Sequence, residues 1–357
     1  MYSLSEVQSK RLNIVKMLFA FFVVFSHCNL SNIHFDDSNI ETVAIETFEF
    51  VRYLFSGLLP EAAVPGFFLM SSIFLYKKDF DWAENVKKKT RSLLVPYLFM
   101  NSFWIVIFAF FQMIPQTQVF FGDPSSYISN YSVSGWLHAY GIGAEFPFLY
   151  PLWFVRNLFV LNLLAKWMKK VIDKMPGVIL TVLILFYFFC DQYFMTISIS
   201  MWCFGYYIVK YNCDLNFFDD KKSVPIIFII ISCLCIREKN SVIALPLLRL
   251  QMLISLAFWY GCFSRDVNGL LQRNLLKYSE YNFSIYLFHE MFLSFLIKTL
   301  AIVLGGWLVP WIVSYFLLPF VICCFSVFMS IFSQKCFPKV FGLIMGPRFQ
   351  QKTKNST

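Results

Sequence analysis

Runs of apolar residues long enough to cross a bilayer recur from one end of this 357-residue chain to the other, and they leave few folds open to it. They lie near residues 12–30, 56–76, 93–114, 150–167, 176–190, 192–209, 223–236, 244–263, 281–303 and 307–333, with the run at 223–236 the shortest. Composition excludes a water-soluble globule: 58% of residues are hydrophobic, only 14% are charged, and mean hydropathy is +0.63. Inside hydrocarbon each segment must satisfy its own backbone N–H and C=O groups, and runs of this length do so as helices. The chain therefore reads as an all-α polytopic transmembrane bundle of about ten spans. The first run lacks a small-residue cleavage site behind a short apolar core, so it reads as a retained span.

Lysine and arginine fix the expected orientation. They gather at Lys10 and Arg11, at 77–91, at 166–174, at 210–222, at Arg265, Arg273 and Lys277, and at Lys335, Lys339, Arg348, Lys352 and Lys354. The alternate segments keep Arg52, Arg237, Lys239, Arg249 and Lys298. This asymmetry places both termini in the cytoplasm. The net charge of +9 is then largely topological, basic inner loops facing an anionic leaflet, and no nucleic-acid partner is implied. Ten cysteines show no paired CxxC spacing and most sit within apolar runs, so they give neither a disulfide framework nor a metal site.

Two outer loops stand out. Residues 31–55 are acidic, with Asp36, Asp37, Glu41, Glu46 and Glu49, and residues 115–149 are aromatic and free of Lys and Arg, with Tyr127, Tyr131, Trp136, His138, Tyr140 and Glu145. Loops of such length in a compact bundle are often functional. Uncharged aromatic faces suit sugar rings, although interfacial belts use the same residues.

The sharpest feature is RLNIVKMLFAFFVVFSHC, which sets Lys16 and His27 eleven steps apart in one apolar run. Eleven steps return to nearly the same helix face after ~16 Å, so a cation and an imidazole share one stripe. Ionisable groups within a membrane helix cost roughly 2.5–3.5 kcal/mol on insertion scales and usually face a bundle interior or wet cavity. The pair reads as the wall of a site. Arg156, a turn or so inside the fourth run, either snorkels to the headgroups or serves that site by clamping an anionic acceptor or stabilising an oxyanion. Glu61 and Glu145 are the carboxylates placed to orient His27.

Five separated segments resemble the membrane-bound acyltransferase family 3, whose members O-acylate bacterial polysaccharides, lipopolysaccharide and other surface glycans. The family's first span carries an Arg or Lys, ten residues, then a His, which Lys16 and His27 match. Residues 64–78, VPGFFLMSSIFLYKK, are similar to its second span, with Ser72 where glycine is common. Its Arg-x-x-Arg corresponds to Lys88-Lys89-Thr90-Arg91, a departure at the first position. LYPLWFVRNLFVL at 149–161 resembles an LWFLxxL segment, and FSIYLFH at 283–289 a late YLxH segment.

The resemblance implies a ten-helix membrane domain over 1–340, with a short cytoplasmic tail at 341–357, in the cytoplasmic membrane of a bacterium. It implies transfer of an acyl group, often acetyl, from cytosolic acyl-CoA to a hydroxyl of a surface polysaccharide or lipid-linked glycan. Lys16 and the inner basic loop would hold the CoA phosphates, with Lys88 and Arg91 joining if they are more than positive-inside anchors. His27 would be general base or transient acyl carrier. Arg156 would be the other catalytic residue, and His289 would line the donor cavity. No metal is expected. A transporter or flippase of an anionic or glycan substrate is the rival, but the chain lacks the matched, broken half-repeats common in that class.

Overall fold

The computed structural model describes residues 2–28, 30, 42–121, 123–264 and 269–345, and among these it is helical with no strand. Asp36, Asp37, Glu41, Arg265, Arg348, Lys352 and Lys354, together with the tail after residue 345, lie outside the described residues.

Helix α1 (Glu6–His27) begins with a capping box in which Ser5 and Gln8 each bond the other's backbone N–H. Its N-terminal end is locked by Arg11, only 2% exposed, whose guanidinium reaches both oxygens of Asp219 and the Tyr260 carbonyl. α2 (Thr42–Arg52) runs through a π turn (Tyr53–Leu58) and a 3-10 turn (Leu59–Ala62) into α3 (Ala63–Tyr76). Residues 42–52, expected in an acidic loop, are thus helical. Phe48 buries one side of that helix against Trp311 and Tyr315, while Glu49 pairs with Arg52 on the same helix.

α4 (Trp82–Lys89) passes through a second π turn (Thr90–Leu94) into α5 (Val95–Gln112). After α6 (Val133–Ala139) come α7 (Trp153–Lys174), α8 (Pro176–Phe189), α9 (Tyr193–Lys210), α10 (Ser223–Arg237) and α11 (Ala244–Gly261). The last described helices are α12 (Leu270–Tyr278), α13 (Asn282–Leu304), α14 (Leu308–Cys336) and α15 (Pro338–Met345). In α15, Phe341, Ile344 and Met345 are buried.

Among the described residues five stretches are long and apolar enough to span a membrane: Val43–Tyr76, Trp82–Gln112, Ala244–Gly261, Leu270–Leu304 and Leu308–Cys336. The pair Tyr150–Lys174 and Pro176–Phe189, bent by 115°, adds a sixth if it counts as one span. The remaining expected runs are helical but shorter or more polar. α1 carries Lys10, Arg11 and Lys16, α9 buries Thr196, Ser198 and Ser200, and α10 has 15 residues.

α1 packs against α3, α11, α12, α13 and α14. A helix so surrounded is shielded from lipid, which is why it can carry a lysine and a histidine along its middle and end. Small residues let its neighbours close up: a Cβ on Gly66 of α3 would lie 2.3 Å from the Phe19 ring of α1. Where α3 meets α9, a Cβ on Gly205 would lie 2.6 Å from the Leu69 carbonyl.

Candidate functional site

His27 is the last residue of α1, and α1 crosses α13 there. That crossing brings His27 Nδ1 to 2.9 Å from Glu290 Oε2. The carboxylate thus faces the imidazole at contact distance, close enough to stabilise positive charge on the ring when it is protonated. Glu290 Oε1 accepts a bond of 3.2 Å from the Ser294 hydroxyl one turn on.

His289 stands beside Glu290 with its ring centroid 5.1 Å from that of His27. It is fully buried. Its Nδ1 lies 3.0 Å from the Ile285 carbonyl and 2.8 Å from that of Tyr286. Carbonyls only accept, so Nδ1 carries the proton and Nε2 presents a bare lone pair. Nε2 is buried with no hydrogen-bond partner among the described residues. The Tyr286 hydroxyl donates to the Pro151 carbonyl and ties α13 to the segment before α7. On the other side of His27, the Tyr150 ring meets the imidazole edge to face at 5.7 Å.

A cavity of about 180 Å³ runs from this crossing along α1. Lys16, Ala20 and Val23 line it from α1, Phe154, Val155 and Leu158 from α7, and Tyr286 and His289 from α13. Of the stripe read from spacing, Lys16 lines this space, while His27 lies past it beside His289. Lys16 Nζ sits 3.9 Å from the Phe74 ring centroid, where the aromatic face supports the cation. Lys77 lies over the same ring at 4.7 Å. Lys88 and Arg91 are exposed, on α4 and the π turn that follows it, and neither lines this cavity.

Arg156 points elsewhere. Its Nη1 donates to the carbonyls of Gly141 and Ala144, at 2.8 and 3.0 Å, and its Nη2 to that of Glu145 at 2.8 Å. Gly141 takes φ +66°, and a Cβ there would lie 2.4 Å from Nη1. The aromatic loop is therefore strapped onto α7 and also onto α5, where Asn101 bonds the Ala139 carbonyl and the Leu149 amide and the Tyr97 hydroxyl bonds the Tyr140 carbonyl.

Glu290, not Glu61 or Glu145, is the carboxylate the fold sets against His27. Its sequence signal was available: an acid beside a histidine deep in an apolar run.

A long helical bundle with several apolar spans and an inward-facing histidine, carboxylate and lysine defines a multi-pass membrane protein with a buried polar site. The model of the acyltransferase family 3 domain, described as an acyltransferase domain, matches residues 9–331, and the chain belongs to that family. It is a membrane acyltransferase by that membership. No curated protein and no solved structure gives a significant match.

Proposed function

We propose that this protein is an O-acyltransferase of a bacterial cytoplasmic membrane that moves an acyl group, acetyl in the first instance, from cytosolic acyl-CoA to a hydroxyl of a surface polysaccharide or lipid-linked glycan. The observation that carries this reading is the cavity joining Lys16 to His289 beside the His27–Glu290 pair. The chain crosses the membrane about ten times, with both termini inside and the acyltransferase domain occupying 1–340. Lys16 then lies toward the cytosol and His27 toward the outer face.

The CoA phosphates rest on Lys16 and Lys77, with Lys88 and Arg91 drawing the anion toward the mouth from the surface. The pantetheine arm enters the cavity beside Lys16 and continues along α1, whose ~16 Å rise from Lys16 to His27 matches the reach needed to bring the thioester to His27. There the Glu290 carboxylate faces Nδ1–H, which leaves Nε2 as the base. Nε2 takes the proton from the acceptor hydroxyl as its oxygen attacks the thioester carbonyl. When the C–S bond of the tetrahedral intermediate breaks, the imidazolium returns that proton to the thiolate, giving an ester and free CoA. Arg156 acts as a positioning residue: it holds the aromatic loop and Tyr150 over the outer mouth, where a sugar ring would stack.

The test is label transfer from radioactive acetyl-CoA to extracted surface glycans, in membranes holding wild-type or His27→Ala protein in equal amount. Label with the wild type and none with the variant is expected. Equal labelling removes His27 from the mechanism.

A further inference from the structure

The three groups at the helix crossing are also arranged as a set of metal ligands. One nitrogen from each of His27 and His289 and one oxygen of Glu290 lie within 4.8 Å of one another. Tetrahedral zinc, with ligand bonds of about 2.0–2.2 Å, places neighbouring ligand atoms roughly 3.3 Å apart. The 2.9 Å between His27 Nδ1 and Glu290 Oε2 is already near one such edge. Side-chain movements of up to about 1.5 Å close the others, and the His27 and Glu290 side chains, 20% and 22% exposed, have room to make them.

The surroundings of the trio point the same way. A ligating histidine almost always donates its second ring N–H to a carbonyl or carboxylate, which fixes the tautomer and aims the other lone pair at the ion. His289 does this through Nδ1, and its Nε2 is buried without a partner among the described residues. The carboxylate is likewise held from behind, by the Ser294 hydroxyl. Two imidazoles and one carboxylate form a donor set suited to Zn²⁺, and three protein ligands beside a cavity leave a fourth position open. The sequence did not announce this set because one ligand comes from the first helix and two from near the end of the chain.

We propose that His27, His289 and Glu290 bind a zinc ion, and that the bound ion reversibly inhibits acyl transfer. The inhibitory sense rests on the reading of His27 as the base; the site itself does not. Zinc bound at Nδ1 takes the place of the proton that faces Glu290. That proton moves to Nε2, which becomes a donor and can no longer accept one from the acceptor hydroxyl. The lone pair of His289 is taken up by the same ion, and no bond to substrate is made or broken.

The experiment uses the full-length protein, purified in detergent and stripped with EDTA. Cobalt(II) is titrated while visible absorption reports its tetrahedral sites, zinc is added to displace it, and acetyl transfer is measured on the same samples. One displaceable cobalt per chain is expected. Binding is expected to weaken at least tenfold in both His289→Leu and Glu290→Gln, each shown to be monodisperse by size exclusion. In wild type, transfer is expected to fall as zinc binds and to return with EDTA. Absence of a tetrahedral spectrum overturns the site, as does a spectrum unchanged in both variants, which would place the ion on cysteines elsewhere. Loss of transfer on EDTA treatment alone overturns inhibition by making the ion a requirement. Transfer that persists with the site filled leaves the metal site standing and removes His27 from the role of base.

Discussion

Replacing Glu290 by glutamine keeps the size of the side chain and removes the charge that faces His27. In the transition state the imidazole gains up to one positive charge about 4 Å from the centre of the carboxylate. Two unit charges at that distance interact by ~4 kcal/mol at an effective dielectric near 20, and by ~2 kcal/mol when the proton is half transferred. At ~1.4 kcal/mol per decade, this range corresponds to roughly 30- to 1,000-fold in kcat. The side chains are 20% and 22% exposed, so water screens part of the field, and the loss is expected near the lower end, about 30- to 100-fold. Glu290 does not touch the Lys16 end of the cavity, so the KM for acetyl-CoA is expected to stay within about twofold. The assay is initial-rate transfer of labelled acetyl in membranes, normalised to protein abundance, across a range of acetyl-CoA concentrations. A loss below about threefold would refute the reasoning. So would a double variant, His27→Ala with Glu290→Gln, that is much slower than His27→Ala alone, because a residue acting through His27 has nothing left to lose once it is gone.

Lys16→Met is expected to raise the KM for acetyl-CoA about tenfold, the effect of one phosphate contact worth ~1.4 kcal/mol, while Lys16→Arg retains most of the affinity; unchanged donor saturation curves would remove Lys16 from the donor site. Arg156→Ala frees the carbonyls of Gly141, Ala144 and Glu145, so limited proteolysis within 115–149 is expected to accelerate and acceptor KM to rise with donor KM unchanged. Gly205→Ala forces a Cβ against the Leu69 carbonyl and Ser72, and a loss of about 1–3 kcal/mol is expected, read as a lower melting temperature in detergent. Arg11→Ala leaves Asp219 without its buried partner and is expected to cost about 3–5 kcal/mol in the same assay, with no change in donor KM for the protein that remains folded.

The sequence by itself determined the material and the period: apolar runs that must be helices in hydrocarbon, and a lysine and a histidine on one stripe of the first of them. Both are local properties, since helical geometry follows from neighbours three and four residues apart. Lys16 lines a cavity along that helix, and His27 stands beyond it against Glu290 and His289. What the tertiary structure decided is who meets across helices. Glu290 became the partner of His27, ahead of Glu61 and Glu145, because α13 crosses α1 at its final turn, and no local rule orders helices separated by most of the chain. Arg156 was equally legible as a cation within an apolar run, yet its use was set by three carbonyls of a loop that folds back onto it. The acidic segment read as loop became helix from residue 42, because Phe48 had Trp311 and Tyr315 to bury against. Periodicity shows which face of a helix is special, and packing supplies what that face confronts.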